Sequence, residues 1–323
     1  MRIVSLLPSA TEIVFALGLG DQLVGVSDEC DYPPEARSKR VVTRATHDLS
    51  RLGSRAIHER VRHAIHGGGS LYALDEEAIA ELRPDLILTQ ELCEVCAVGY
   101  REVQAAVRAL DGPPAILSLE PTSIEGIFNT IIAVGSMAGV EPRALRLVRS
   151  LRARLAEIDR TVAERRAAGV APPRVVALEW LDPPFAAGHW VPEQVRRAGG
   201  WEVLGQEGGR SVRTTWRAVR KVQPDMLVLM PCGYHLRDAL AEWRRLRRPP
   251  FWEEILAVQR RQVFVVDGSA YFSRPGPRVL DGIAMLAEIF DPDAFVDIAP
   301  PQGWTPVDDW ITDLPEPPPV ASG

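Results

Sequence analysis

Residues 83–90 read RPDLILTQ, and residues 223–230 read QPDMLVLM. In each, a Pro-Asp pair punctuates the chain ahead of a short, continuous apolar run. A run of that length, bounded by turn residues, is the pattern of a strand buried on both faces of a parallel sheet. Its recurrence in the second half of the chain predicts two similar α/β lobes.

The neighbouring segments extend this reading. RIVSLL (2–7), LVGVS (23–27), RVVT (40–43) and AILSL (115–119) are further strand candidates around DLILT (85–89). RVVALEW (174–180) and QVFVVDG (262–268) accompany DMLVLM (225–230). Amphipathic segments alternate with them, among them ATEIVFALG, EEAIAEL, YREVQAAVRAL, PEQVRRAGG, WRAVRKV and ALAEWRRL. Ser9-Ala10-Thr11-Glu12 spells a capping box for the first helix. Between the two sets lies one uninterrupted helical pattern, Pro142 to Ala168, rich in Ala, Leu, Arg and Glu. At about 1.5 Å per residue it would reach roughly 40 Å, a stiff connector. The fold expected is therefore α/β, with two Rossmann-like lobes built on parallel sheets and joined by one long rigid helix. The expected boundaries are 1–140 for the first lobe, 141–170 for the connecting helix and 171–290 for the second lobe. An irregular Pro-rich tail would occupy 291–323. Residues 44–82 form a long insertion carrying a basic helix, SRAIHERVRHAIH, and then GGGSLYALD. The three glycines read as a helix terminator, because no Gly-Lys-Ser/Thr follows. His63 and His66 share a helix face but lack a third ligand.

Composition narrows the function. The 323 residues are 46% hydrophobic and 25% charged, with a formal net charge of -6. That balance excludes an extended nucleic-acid surface. The arginines of 143–154 and 244–248 read as solvated helix faces. No run approaches the roughly 18 apolar residues of a membrane span, so no direct membrane insertion is expected. Met1 leads straight into an apolar strand with no basic or cleavable segment, which predicts a cytoplasmic protein. Four cysteines are too few for a disulfide framework.

Ligands of open α/β sheets gather at the carboxyl ends of strands. Cys30 follows LVGVS, Cys93 and Cys96 follow DLILTQ, and Cys232 follows DMLVLMP. If the lobes face each other, these thiols could converge and hold Zn²⁺ or an iron–sulfur cluster. A reversible redox pair at Cys93/Cys96, or inert thiols, are the alternatives. A second constellation is EWLDPPFAAGHWVPEQV (179–195), where Trp180, Phe185 and Trp190 could stack on a flat ligand, with His189 beside them as a metal ligand or a hydrogen-bonded ring. Tyr234 follows the second cysteine loop. A third is DGSAYFSRPGPRVLDG (267–282), where Tyr271 and Phe272 precede Arg274, a residue suited to an anionic group or to an acid across the lobes. No Gly-x-Ser-x-Gly or His-Glu-x-x-His occurs, so the residues point to binding more than to catalysis.

LLPSATEIVFALGLGDQLVGVS, the DYPPEA turn, RPDLIL, the long helix, LDPPFAAG and YFSRPGPRVLDG, in that order, resemble the binding proteins for cobalamin, haem and iron–siderophore uptake. The cobalamin-binding branch is the nearest in pattern. The resemblance covers about residues 1–290. It implies two lobes that close little and hold a small-molecule ligand between them, here cobalamin, another corrinoid or a related tetrapyrrole. It implies that Tyr32, Phe185, Tyr271, Phe272 and Arg274 line the cleft. An ABC permease would be the partner of an exported member. Where the cobalamin proteins carry an aromatic, Gly-rich loop, this chain has ELCEVCAVGY, which marks it as a leaderless, cytosolic-type member. The alternative reading is a metal or iron–sulfur protein built on the four cysteines, redox-active if the thiols cycle.

Overall fold

The computed structural model describes residues 1–46, 52–66, 71–90, 100–107 and 112–307. Lobe one runs β1 (Ile3–Ser5), α1 (Pro8–Ala16), β2 (Leu23–Val26), β3 (Arg40–Val41), β4 (Thr43–Ala45), α2 (Ser54–His66), β5 (Tyr72–Leu74) and α3 (Glu76–Leu82). It continues with β6 (Leu86–Thr89), α4 (Tyr100–Val107), β7 (Ala115–Ser118) and α5 (Ile124–Met137). The connector is α6 (Glu141–Ala167). Lobe two runs β8 (Arg174–Leu181), β9 (Pro184–Ala186), α7 (Val191–Arg197), β10 (Trp201–Glu202), β11 (Val212–Arg213), α8 (Trp216–Val222) and β12 (Met226–Leu229). Then come α9 (Leu236–Arg245), α10 (Leu256–Gln259), β13 (Val263–Val266), α11 (Gly268–Tyr271), α12 (Val279–Phe290) and β14 (Trp304–Pro306).

The repeated Pro-Asp stretch does the same work twice. Arg83 and Gln223 close α3 and α8 in the left-handed conformation, and the proline that follows forbids another helical turn. Asp85 then accepts the backbone N–H of Arg2 at 2.6 Å, and Asp225 accepts that of Arg174 at 2.9 Å. The two arginines return the contact. Arg2 donates to the Leu82 carbonyl at 2.6 Å and Arg174 to that of Val222 at 2.9 Å, each satisfying a helix C-terminus. Each lobe thus locks its first strand to its Pro-Asp strand with the same pair of contacts. The strands are apolar throughout because both faces are covered. Leu86 and Leu88 enter one core while Ile87 between them enters another.

Lobe one has a parallel sheet in the order β3-β2-β1-β6-β7. Lobe two departs from the parallel expectation. Its order is β11-β9-β8-β12-β13-β14, with β10 beside β8, and β9, β11 and β14 run antiparallel to their neighbours. Strand β14 also corrects the tail. Residues 304–306 pair with β13, so this part is a sheet edge and not irregular surface chain. The segment RVVT is divided: Arg40–Val41 joins the main sheet, whereas Thr43 begins β4, which pairs with β5 in a separate two-stranded ribbon. The capping box does not form. Pro8 opens α1 with Leu7 as its cap, and Glu12 is turned toward lobe two.

Helix α6 buries Ala144, Val148, Leu151, Leu155, Ile158 and Val162, alternating by four and three residues, as one apolar stripe requires. That stripe belongs to one continuous core with Ile13 and Phe128 of lobe one and Val191, Val195 and Ile283 of lobe two. Arg154 pairs with Asp281 at 2.5 Å and Arg165 with Asp291 at 2.6 Å, fastening the helix to lobe two. No helix among the described residues is long and apolar enough to cross a membrane.

Candidate ligand-binding site

A cleft of about 560 Å³ lies between the lobes. Lobe one supplies the start of α1 (Leu7 to Ser9), Glu29, Tyr72, Gln90 and one face of α2. Lobe two supplies Glu179, Trp180, Phe185, Cys232, Tyr234 and Arg274. Lobe two's contributors lie at the ends of β8, β12 and β13 or in the turns after them, as the strand-end rule for α/β sheets requires.

The aromatic wall is built from β8 and β9, which pair Trp180 with Phe185. Tyr234 meets Trp180 edge-on, with ring centroids 5.7 Å apart. The Tyr234 hydroxyl is buried and has no hydrogen-bond partner among the described residues. Burial first, and then the charge of Glu242, pushes its pKa up to about 12. Glu179 accepts the Gly188 N–H at 3.2 Å and the Ser211 hydroxyl, which fixes it at the wall. Gly188 is required there: a Cβ would stand 2.3 Å from the Ser211 nitrogen.

Helix α2 crosses to lobe two. Glu242 of α9 accepts both the backbone N–H of Ser54, at 2.9 Å, and its hydroxyl. A carboxylate from the opposite lobe thus caps the positive end of α2. Arg55 forks onto Asp182 with two bonds of 3.0 Å, and the Trp180 indole donates to the Ser54 carbonyl at 3.2 Å. Ile57, His58, Val61 and Arg62, spaced three and four apart, turn one face of α2 into the cleft. His58 lies against Phe185, with centroids 5.6 Å apart and rings tilted by 57°. Burial, followed by the charges of Arg213 and Arg62, lowers its pKa from the ordinary histidine value.

Beside the cleft runs a charged seam. Asp31 of lobe one takes Arg274 at 2.5 Å and His235 at 3.0 Å, and His235 also reaches Asp267 at 2.9 Å. Burial works against ionisation of Asp31. The hydrogen bonds of His235 and Arg274, with the charge of Arg274, outweigh it and hold this carboxyl well below its usual range. Hydrogen bonds to Asp267 and then Asp31 raise His235 to about 9, so it is an imidazolium at neutral pH. Deeper in the seam, Arg278 binds the buried Glu12 with bonds of 2.5 and 2.9 Å. Burial raises the Glu12 pKa, and Arg278 and Arg274 work against that rise.

The structure therefore sorts the residues singled out in the sequence. Trp180, Phe185, Tyr234, Arg274 and Cys232 meet at the cleft. Tyr32 and Tyr271 do not line it. They flank Arg278, whose guanidinium stands 3.8 Å and 5.6 Å from their ring centroids. Trp190 and Phe272 are core residues joined to each other, the indole donating to the Phe272 carbonyl at 2.9 Å. His189 occupies a left-handed turn (φ 52°) where its backbone binds Gly208 and Gly209. Its Nε2 is buried and unpartnered among the described residues.

The expected four-thiol convergence is not what the structure displays. Cys30 is buried within lobe one, bonded to Thr11 at 3.0 Å and Ser27 at 3.1 Å, with burial raising its pKa. Cys93 and Cys96 lie outside the described residues. Among the described residues no group of three or more His, Cys, Asp or Glu side chains could hold a metal ion. The sequence reading missed His58, Arg62 and His235. The i,i+4 spacing of His58 and Arg62 on a basic amphipathic helix was visible, but nothing local said which way that face turns.

With this geometry in view, comparison with known proteins is informative. A curated relative from Bacillus subtilis, the uncharacterized ABC transporter substrate-binding lipoprotein YvrC, is 26% identical over 91% of this chain and 81% of its own length. The vitamin B12-binding protein of Vibrio cholerae is 25% identical over 88% of this chain and 87% of its own. Among solved structures, the periplasmic vitamin B12-binding protein of Vibrio cholerae matches with a TM-score of 0.64, covering 90% of this chain and 96% of that one at 23% identity. A periplasmic heme-binding protein from Pseudomonas aeruginosa matches with a TM-score of 0.67, covering 90% and 93% at 22% identity. The family model described as periplasmic binding protein matches residues 3–270, and the chain belongs to that family.

Proposed function

We propose that this chain is a binding protein for a corrinoid or a related tetrapyrrole metal complex, held between the lobes. One observation carries the reading: a cleft of about 560 Å³ with a continuous wall of Trp180, Phe185 and Tyr234, set between lobes that share one core through α6. Its volume falls in the range of small-molecule sites, roughly 300–1,000 Å³. A macrocycle has two broad apolar faces and a polar rim. Such a face buries well against aromatic rings. The polar groups around this wall, Glu29, Gln90, Glu179 and Arg274, suit the rim. The relatives named for vitamin B12 and for heme support the same ligand class. Delivery to an ABC-type permease is part of the proposal for a chain that is exported.

Calorimetry and visible spectroscopy with cyanocobalamin, aquacobinamide and ferric haem test the reading. The expected result is saturable binding of one of them at a 1:1 ratio. Absence of heat and of any spectral change with all three at high micromolar concentration overturns it.

A further inference from the structure

Two polar atoms buried beside the cleft have no hydrogen-bond partner among the described residues, Glu242 Oε2 and the Tyr234 hydroxyl. Both belong to the junction where α2 meets lobe two. The other oxygen of Glu242 accepts the backbone N–H and the hydroxyl of Ser54. A Cβ on Gly53, one residue earlier, would stand 3.6 Å from the bare Oε2, so the start of α2 lies over the carboxylate. Tyr234 meets Trp180 edge-on, and the Trp180 indole donates to the Ser54 carbonyl. Burial, then the charge of Glu242, keeps the phenol protonated. A buried polar group without a partner costs as much as a typical hydrogen bond contributes, or more. Native folds retain few of them.

Against that cost stand a few contacts. Ser54 gives Glu242 two hydrogen bonds, and Trp180 gives Ser54 one. Arg55 forks onto Asp182 from a side chain that is 72% exposed, where an ion pair contributes little. Further along the helix, the His58 ring meets Phe185. Ile57 and Val61 line the cavity beside it. An apolar occupant of the cleft would bury them together with Trp180 and Phe185 of the opposite wall.

We propose that α2 is a strap that undocks from and re-docks on lobe two, and that an occupant of the cleft holds it down. Docking gains the Ser54, Arg55 and Trp180 contacts and takes Glu242 Oε2 and the Tyr234 hydroxyl away from water. Undocking reverses both. With the cleft empty these opposing changes nearly balance, so both positions are populated. With an apolar ligand in the cleft, burial of Ile57 and Val61 adds to the docked side alone, and the equilibrium shifts by that difference. The tie to an occupant rests on the binding reading above. The docking equilibrium is a property of the chain itself.

Hydrogen exchange of the full chain, read separately over α2 and α6, tests the strap. In the ligand-free wild type, α2 should exchange much faster than α6. Tyr234→Phe keeps the ring and removes the stranded hydroxyl, so docking should improve and α2 exchange should slow about fivefold, with α6 unchanged. Ser54→Ala should speed it about fivefold. Cyanocobalamin and ferric haem are then added separately at saturation. The one that binds should slow α2 exchange at least tenfold, and Ser54→Ala should release it about fivefold faster in stopped-flow mixing. Unchanged or faster α2 exchange in Tyr234→Phe overturns the proposal, as does a wild type in which α2 exchanges only together with α6. A probe that binds without slowing α2 exchange overturns the tie to an occupant and leaves the binding reading intact. Failure to bind either probe overturns the binding reading, and the two ligand-free variants still decide the docking equilibrium.

Discussion

Helices α6 and α2 both join the lobes, and they do so by different physics. On the back of the molecule, α6 contributes a stripe of buried aliphatic side chains to a core that both lobes share. At the cleft, α2 reaches lobe two through polar groups of its first turn and through the ring contact of His58 with Phe185, and its apolar residues Ile57 and Val61 face the cavity. Apolar burial on one side is non-directional and strong; a few hydrogen bonds and an exposed ion pair on the other are directional and modest. The back is built to hold the lobes at a fixed distance.

Four measurements probe that asymmetry. Leu155→Ala removes a buried side chain from the shared core and should cost about 2–5 kcal/mol in denaturant unfolding. Both lobes should unfold in the same shifted transition, and separate transitions would mean that α6 does not unite them. Trp180→Ala strips the ring that both faces the cavity and binds the Ser54 carbonyl. It should weaken macrocycle binding by about 2 kcal/mol, roughly thirtyfold, in calorimetry. An unchanged affinity would remove the aromatic wall from the site. Ser54→Ala leaves Glu242 with one bond fewer at a buried position and should cost about 1 kcal/mol. Its mark is faster hydrogen exchange in α2 with little change in α6, and equal acceleration in both would erase the contrast between them.

The smallest effect concerns pH. His235 has a folded pKa near 9, above its ordinary value of 6.5. Its contribution is therefore fully present below about 6.5 and is lost as pH rises through about 9. Asp31 is depressed, so its contribution is present above its ordinary value of 3.8 and is lost as pH falls toward its folded value. The seam is thus at full strength between those two limits. His235 is half exposed, and solvent screening reduces its worth to less than about 1 kcal/mol. Stability curves of wild type and His235→Ala should differ near pH 6 and converge above pH 9. A gap that persists above pH 9 would show that His235 acts through packing and not through charge.

Particular residues show how much was written locally. Residues 83–90 and 223–230 announced two lobes because helix stop, proline, aspartate and apolar run all act over a few residues. The helix of 141–167 was legible because its apolar spacing is periodic and nothing interrupts it. The three antiparallel strands of lobe two were not, since Pro184–Ala186, Val212–Arg213 and Trp304–Pro306 are two or three residues long, and the last two take their partners from distant chain. The site divided in the same way. Trp180, Phe185 and Arg274 could be guessed from strand-end position. Trp190 and Phe272 looked equivalent to them in sequence, yet the tertiary fold turned them inward onto each other.

What the sequence determined by itself, then, is the pair of α/β lobes and their stiff connection, because periodicity, capping and turn chemistry are properties of neighbours along the chain. What only the tertiary structure decided is which side chains share the cleft. Cys30 was drawn into the core of lobe one, Tyr32 and Tyr271 went to the flanks of Arg278, and α2 was carried across to lobe two with His58 facing the wall. Each of these outcomes depends on the distance and direction between residues far apart in the chain, and those are set by packing, hydrogen-bond satisfaction and charge pairing between elements, not by local pattern.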